Sequence, residues 1–405
     1  MMISLFSCGK KSEVASGYGD LIFESIEKET GDATRPPEYQ NQPESDNGGN
    51  ETVPPADAPV TTITFAGCGD NIIYQGTIWE ALAQANGGRA YNFKPIYSDV
   101  AGMIASADVS YINQETVMDG GEPSYYPCFN SPQDLGYDLA ELGFDVVNIA
   151  NNHMLDRGGS GITATVEFWK AMQGVTMIGG NRDRADYDEV EIIDVNGIRI
   201  ALLSFCEMTN GITIGNDWAV WIPYLDENDI KNQCASVKDS CDLILCSVHW
   251  GDEGSFKPNE EQRRWAKIMA DAGVDVIIGT HPHVIQPIEY IDRADGGKTL
   301  CAFSLGNFMA MQAYDFNMLG GIITFDINKR GDEHAYIDNV LFTPTVYYFA
   351  QNWYGSHVYF LSDFTDYLAS THGIGNYGNG ISNASLRGYL NDTISNEFLP
   401  EEFRN

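Results

Sequence analysis

The chain has 405 residues, 43% of them apolar and 12% aromatic, and its 57 Asp and Glu against 23 Lys and Arg give a formal net charge of −34. This is ample material for one large core or two ordinary ones in a globular protein. So acidic a surface repels nucleic acid and anionic lipid, which excludes nucleic acid as a partner and requires any polyanionic substrate to be gripped locally, by a metal ion or a few basic side chains. No stretch reaches the roughly 18 apolar residues that cross a bilayer.

At the start, Leu5-Phe6-Ser7-Cys8-Gly9-Lys10-Lys11 resembles the end of a bacterial lipoprotein signal, in which a Cys becomes lipid-modified. The match is partial, since the basic start and most of the apolar segment are missing, and a chance Cys is the alternative. The stretch from Lys10 to Pro59 is rich in Glu, Asp, Gly, Ser, Asn and Pro, a composition that buries too little surface to fold and suits a tether. Residues 1–58 are therefore expected to be a lipoprotein-like N-terminus and acidic, Pro-rich tether. A lipid on Cys8 would be the chain's contact with the membrane and would place the protein at the extracellular face. Of the other seven cysteines, Cys234 and Cys241 are close enough to pair across a short loop, while Cys68, Cys206, Cys246 and Cys301 lie in apolar runs where buried thiols are common.

From Thr61 onward short β-branched runs alternate with longer helical periods, the pattern of a layered α/β domain. Strands are expected at Thr61–Cys68, Asp108–Ile112, Phe144–Ala150 and Val175–Ile178, with helices at Thr77–Ala85, Pro95–Ala107, Gln133–Leu142 and Gly161–Met172. Glu189–Phe205, broken by Asn196-Gly197, reads as a hairpin because that dipeptide accepts the positive φ of a tight turn. Asp242–Val248 is a buried strand. Asn259 caps the next helix with Gln262 three residues on, and Trp265, Ile268, Met269 and Ala272 recur as its inward face up to Gly273. Strands at Val274–Gly279, Val284–Ile291, Thr299–Ser304 and Gly321–Ile327 follow. Residues 59–345 are expected to form the domain and 346–405, rich in Tyr, Asn and Gly, an extension packed on it.

Five polar clusters each follow an apolar strand: Gly69-Asp70-Asn71; Asn113-Gln114-Glu115; Asn151-Asn152-His153 with Asp156; His249-Trp250-Gly251-Asp252-Glu253; and Gly279-Thr280-His281-Pro282-His283. In α/β sheets, ligand sites form beyond the carboxyl ends of strands, where loops converge. Asp, Glu, Asn and His supply oxygen and nitrogen donors suited to Mn, Zn, Fe or Mg, and no Cys joins them. A His-x-His pair can aim two imidazoles into one pocket, and Pro282 is expected to hold His281 in extended geometry. Taken singly, each cluster also reads as structural: Asp70 as a turn residue, Asn151-Asn152 as a loop tolerant of unusual backbone angles.

With Ser304-Leu305-Gly306-Asn307-Phe308 added, the ordered series over about Thr61–Asp326 resembles the CapA-type poly-γ-glutamate capsule-synthesis family, whose members resemble calcineurin-like metallophosphoesterases. The resemblance implies a four-layer α/β/β/α sandwich with mixed sheets, one or two divalent ions at the strand ends, and activity on an anionic polymer or phosphate ester. It makes Asp70 a ligand of a first ion, Glu115 a bridging carboxylate, Asn152, His249 and His281 ligands of a second ion, and His283 a further ligand of the first. His153 becomes a proton donor facing the substrate, with Asp156 orienting it. Asn71, Asn113, Asn151, Arg157, Trp250, Glu253, Ser304 and Asn307 are expected around substrate or ligands. One departure stands out. The phosphoesterase pattern has a His two residues after its first Asp, and here Ile72 occupies that position; Asn71 is the neighbour that could compensate.

The resemblance implies capsule or poly-γ-glutamate biogenesis, alongside other capsule-synthesis membrane proteins. A metal-dependent phosphoesterase and a non-catalytic polymer-binding module with a degenerate site are the alternatives. Arg157 and Lys257 are candidates for contact with carboxylate or phosphate, or are solvated charges; Trp250 and Trp218 line the pocket or fill the core.

Overall fold

The structure, a computed structural model, describes residues 58–215 and 218–405; Cys8 and the tether lie outside the described residues. Pro59–Asn405 forms one compact unit.

The first half of the chain lays down β1 (Val60–Asn71), α1 (Gln75–Ala83), α2 (Ala101–Ser106), β2 (Val109–Gln114), α3 (Asp134–Leu142), β3 (Val146–Asn148), α4 (Gly158–Lys170) and β4 (Thr176–Ile178). The strands β1 to β4 are mutually parallel and adjacent, as helical crossovers require. A second sheet follows, built from β5 (Glu191–Val195), β6 (Ile198–Cys206), β7 (Leu243–His249), β8 (Val276–Thr280), β9 (Ile285–Asp292) and β10 (Lys298–Leu305), in the order β5-β6-β7-β8-β10-β9. The helix α5 (Arg184–Asp188) leads into it, and α6 (Glu227–Val237) and α7 (Glu260–Ala272) interrupt it. The chain then returns to the first sheet with β11 (Asn307–Met309), β12 (Leu319–Arg330), β13 (Tyr336–Tyr348) and β14 (His357–Phe360), and ends with α8 (Asp366–Thr371) and α9 (Asn383–Thr393). The expected boundary at 345/346 falls inside β13, whose last residues pair with β14, and Leu386, Leu390 and Phe403 join the core.

Alternation along the second sheet explains the layering. Ala201, Leu203 and Phe205 of β6 and Ile244, Cys246 and Val248 of β7 pack under α6 and α7, whereas Ile200, Leu202, Leu243 and Leu245 point into the core shared with the first sheet. Each strand is therefore apolar on both faces, as a buried parallel strand must be, and each large side chain removed from water contributes roughly 1.5–3 kcal/mol. Outside the first sheet, Val166 of α4 and Met177 of β4 converge on Gly180. The result is a four-layer α/β/β/α sandwich with mixed sheets. Polar cross-links join the two sheets near one end, where the Tyr111 hydroxyl meets Ser247 Oγ at 2.6 Å and Ser204 Oγ donates to Asn148 Oδ1 at 2.5 Å.

The expected hairpin is present, with Asn196 at φ 54° and Gly197 at φ 85°. So is the capping box of α7, between Asn259 and Gln262, and its stop at Gly273. The inward face of α7 is rotated from expectation: Gln262, Ala266, Met269 and Ala270 are buried, while Trp265, Ile268 and Ala272 only flank the core. Small Ala residues allow the helix to approach the sheet, and the bulkier side chains sit at the edges. Cys234 and Cys241 are not paired; both are free and buried, as are Cys68, Cys206, Cys246 and Cys301.

Candidate metal centre

All five polar clusters arrive at one edge of the sandwich. The β1–β2 register breaks between Cys68 and Asp70, an irregularity that turns Asp70 inward at the strand end. Gly69 is required there, since a Cβ would stand 2.0 Å from the carbonyl oxygen of Gly306. Asp70 is fully buried and its Oδ1 accepts from Asn113 Nδ2 at 2.8 Å. Asn113 Oδ1 in turn accepts from Asn148 Nδ2 at 2.8 Å, and Asn148 is the residue held by Ser204. A line of oriented amides thus runs from the second sheet to the Asp70 carboxylate, each bond fixing the next.

Against expectation, Pro282 does not hold His281 extended. His281 has φ 98° and His283 φ 56°, both left-handed conformations that cost a non-glycine residue of order 1–3 kcal/mol. The reason is visible in the contacts. This backbone aims the His281 N–H at both Asp70 oxygens, at 3.3 and 3.2 Å, and places His283 Nδ1 3.1 Å from Asp70 Oδ2. The loop exit is held by Ser304 Oγ donating to Val284 O and by Asn307 and Asn317 side-chain amides donating to His283 O.

His249 ends β7 with its Nδ1 2.9 Å from Thr280 Oγ1, so its Nε2 edge faces inward. That Nε2 lies 3.0 Å from Asn152 Oδ1 and 3.1 Å from His281 Nδ1. Asn152 presents its oxygen because its Nδ2 is spent on Asn210 Oδ1, at 3.3 Å.

Glu115 connects these parts. Its Oε1 is buried without a hydrogen-bond partner, 3.8 Å from His249 Nε2 and 3.7 Å from His283 Nε2. Donor atoms converge as two groups that share this carboxylate: Asp70, Glu115 and His283; and Glu115, His249 and His281. Ligands at about 2.1 Å from a tetrahedral ion lie about 3.4 Å apart, close to these separations, and an orphaned buried carboxylate oxygen costs energy that a cation would recover. The residues therefore fit one or two divalent ions.

The electrostatics agree. Burial, then the neighbouring Asp70 charge, raises the Glu115 carboxyl well above its usual range. Burial would raise Asp70 too, but the His283 hydrogen bond and charge hold it below the usual carboxylate range. Burial works against a proton on His283, and Asp70 outweighs it, raising His283 above the ordinary imidazole value. Burial, then repulsion from neighbouring imidazoles, brings His281 down to about 4 and His249 well below normal, so both offer neutral nitrogens.

At the rim, His153 Nδ1 lies 2.8 Å from Asp156 Oδ2, which also accepts the Phe129 N–H at 2.7 Å; the Phe129 ring meets the imidazole edge-on. Asn151 does not enter the cluster, because its Nδ2 pins the loop to Gln114 O and its Oδ1 receives the His153 N–H. Asn71 is likewise committed, donating to Gln114 Oε1 and accepting from the Tyr97 hydroxyl, so it does not compensate for Ile72, which packs with Phe129 and Ala310. Arg157 pairs with Asp119 at 3.1 Å. Trp250 is fully buried, stacked on Phe303 with its Nε1 donating to Phe303 O, so it is core beneath α7 rather than pocket lining. Trp218 packs over Gly159 at the start of α4, and Lys257 is exposed. Glu253 approaches His281 and His283, within 4.8 Å. Asn148, Asn210 and Ser204 also position the site and were not singled out for it in the sequence, whereas Thr280 lies in the expected cluster at the end of β8; a polar residue inside an otherwise apolar strand was the available signal for Asn148 and Ser204.

Among known proteins, the PGA biosynthesis protein CapA of Bacillus subtilis is 32% identical over 205 residues, covering 48% of this chain and 50% of that protein. The capsule biosynthesis protein CapA of Bacillus anthracis is 30% identical over 197 residues, 48% of this chain and 46% of that one. The chain thus spans about half the length of these curated relatives. In Mycobacterium tuberculosis, a probable polyglutamine synthesis accessory protein is 28% identical over 200 residues, 45% of this chain and 52% of that protein. Similar solved structures include the Haemophilus influenzae NAD nucleotidase (TM-score 0.42, 12% identity, 71% of this chain and 58% of that one) and a 5'-nucleotidase precursor from Thermus thermophilus (TM-score 0.39, 12% identity, 71% and 54%). The family model of the bacterial capsule synthesis protein PGA_cap matches residues 62–312, which is more than half of the chain and contains the whole cluster just described, so the chain belongs to that family.

Proposed function

We propose that this chain acts in capsule or poly-γ-glutamate biogenesis as a metal-dependent hydrolase or transferase working on the anionic polymer or a phosphate ester. The observation that supports this reading is the buried Glu115 Oε1, without a hydrogen-bond partner between His249 and His283, a position that a cation would satisfy. A divalent ion bound there supplies Lewis acidity and lowers the pKa of coordinated water. The chain's own groups do the rest. Asp70 orients His283, Thr280 orients His249, and His153, braced by Asp156, stands at the rim to hand a proton to a leaving group. With a net charge of −34, the protein grips its substrate at the metal site itself rather than along a broad basic groove. We further propose that a lipid on Cys8 holds the chain at the extracellular face of the membrane, beside other capsule-synthesis membrane proteins.

The test is metal analysis of the purified chain together with its His281→Ala/His283→Ala variant, followed by assays on poly-γ-glutamate and on bis-p-nitrophenyl phosphate. The wild type is expected to carry a divalent ion and to shorten or transfer the polymer, and the folded double variant to do neither. Equal metal content in the two proteins removes the reading, and turnover of the phosphate ester alone narrows it to a phosphoesterase.

A further inference from the structure

Among the described residues, three protein donors meet on the Asp70 side, namely Asp70, Glu115 and His283, while Ile72 packs with Phe129 and Asn71 is committed elsewhere. A further donor faces His281 and His283 from outside. Glu253, on the loop after β7, offers a carboxylate oxygen within 4.8 Å of the ligand nitrogens of both His281 and His283. We propose that Glu253 is a direct ligand of the bound cation, joining His281 and His283 to close the outward side of the centre. The inference rests on the metal-centre reading given above.

Three observations support it. The loop is held rather than free: the Gly251 N–H is bound by Glu207 Oε2 at 2.8 Å, and the Gly254 N–H donates to Pro282 O at 2.8 Å, tying the segment directly to the His-Pro-His turn. Gly251 has φ 90°, and a Cβ there would stand 2.4 Å from Gln262 Cδ, so the sequence is specialised for this path. The two acids of the loop have separate fates. Asp252 accepts from Asn259 Nδ2 at the start of α7, whereas among the described residues no donor reaches the Glu253 carboxylate. An exposed carboxylate ordinarily finds water, yet this one is aimed at two buried imidazoles. Its oxygen makes no hydrogen bond to either ring, yet lies within 4.8 Å of a ligand nitrogen of each. A carboxylate and two imidazoles then converge on one point, a donor set that suits a borderline metal.

The experiment measures binding of Mn²⁺ and Zn²⁺ to the full chain by calorimetric titration after chelation, for wild type, Glu253→Gln and Glu253→Asp. Circular dichroism and the melting point of each metal-free protein check that the fold is intact, which an exposed loop position makes the expected result. Glu253→Gln should weaken at least one ion by tenfold or more, and Glu253→Asp should recover part of that loss. Equal affinity and stoichiometry in wild type and Glu253→Gln would overturn the inference while leaving the metal centre standing. A wild type that binds neither ion would remove both readings together.

Discussion

Thr280 Oγ1 lies 2.9 Å from His249 Nδ1, and this contact decides which edge of the imidazole meets Asn152, Glu115 and His281. Replacing Thr280 with Val keeps the shape and removes the hydroxyl. Affinity for the divalent ion is expected to fall by about 10- to 100-fold with little change in fold, read by metal titration of the variant.

Asp156 should matter for turnover and not for metal. It accepts from both His153 Nδ1 and the Phe129 N–H, so Asp156→Asn disturbs the orientation and proton of His153 without touching the ligands. A loss of about 10²- to 10⁴-fold in kcat at unchanged metal content is expected, and His153→Ala should give a similar loss. Steady-state assays on whichever substrate the wild type turns over decide this, and undiminished activity in both variants would remove the proton-donor role.

His372 sets a pH limit on stability. Burial brings its pKa down to about 4, and the neutral ring donates from Nε2 to Tyr347 O while Nδ1 accepts the Ile374 N–H. The unfolded chain takes up this proton first as pH falls, so the stability that the neutral ring provides is complete above about 6.5 and drains away toward pH 4. This one group accounts for about 3 kcal/mol over that window. Urea unfolding at pH 7 and pH 4.5 should show a shallower pH dependence for His372→Asn than for wild type, even though the variant starts less stable.

Gly69→Ala should damage fold and site together. The added Cβ would meet the Gly306 carbonyl oxygen, whose bond to the Asp70 N–H holds β11 beside β1. A cost of roughly 3 kcal/mol is expected in denaturant melts, with metal affinity falling as Asp70 is displaced.

Much of this was legible beforehand because it depends on local chemistry. The strand tips, the Asn196-Gly197 turn and the Asn259 cap each declare themselves within a few residues, and a polar residue that ends an apolar run is conspicuous. What escaped depends on partners distant in sequence. Nothing near Trp250 reveals that its indole turns away from the adjacent His249 to stack on Phe303, or that Asp119 takes Arg157. The left-handed backbone of His281 contradicts the local influence of Pro282, and only the buried Asp70 carboxylate accounts for it. The α6 helix was not recognised in the sequence, although Asp226 caps it well, because its mixed polar composition carries a weak periodic signal.

Asp70, Glu115 and Asn152 ride on the first sheet, while His249, His281 and His283 ride on the second. Asp70 and His283 are 213 positions apart along the chain, so their meeting is a strongly non-local contact that links the two layers. A captured cation would then behave as a rivet across the seam, chiefly slowing the parting of the layers. Chelation should accordingly quicken unfolding far more than it retards refolding.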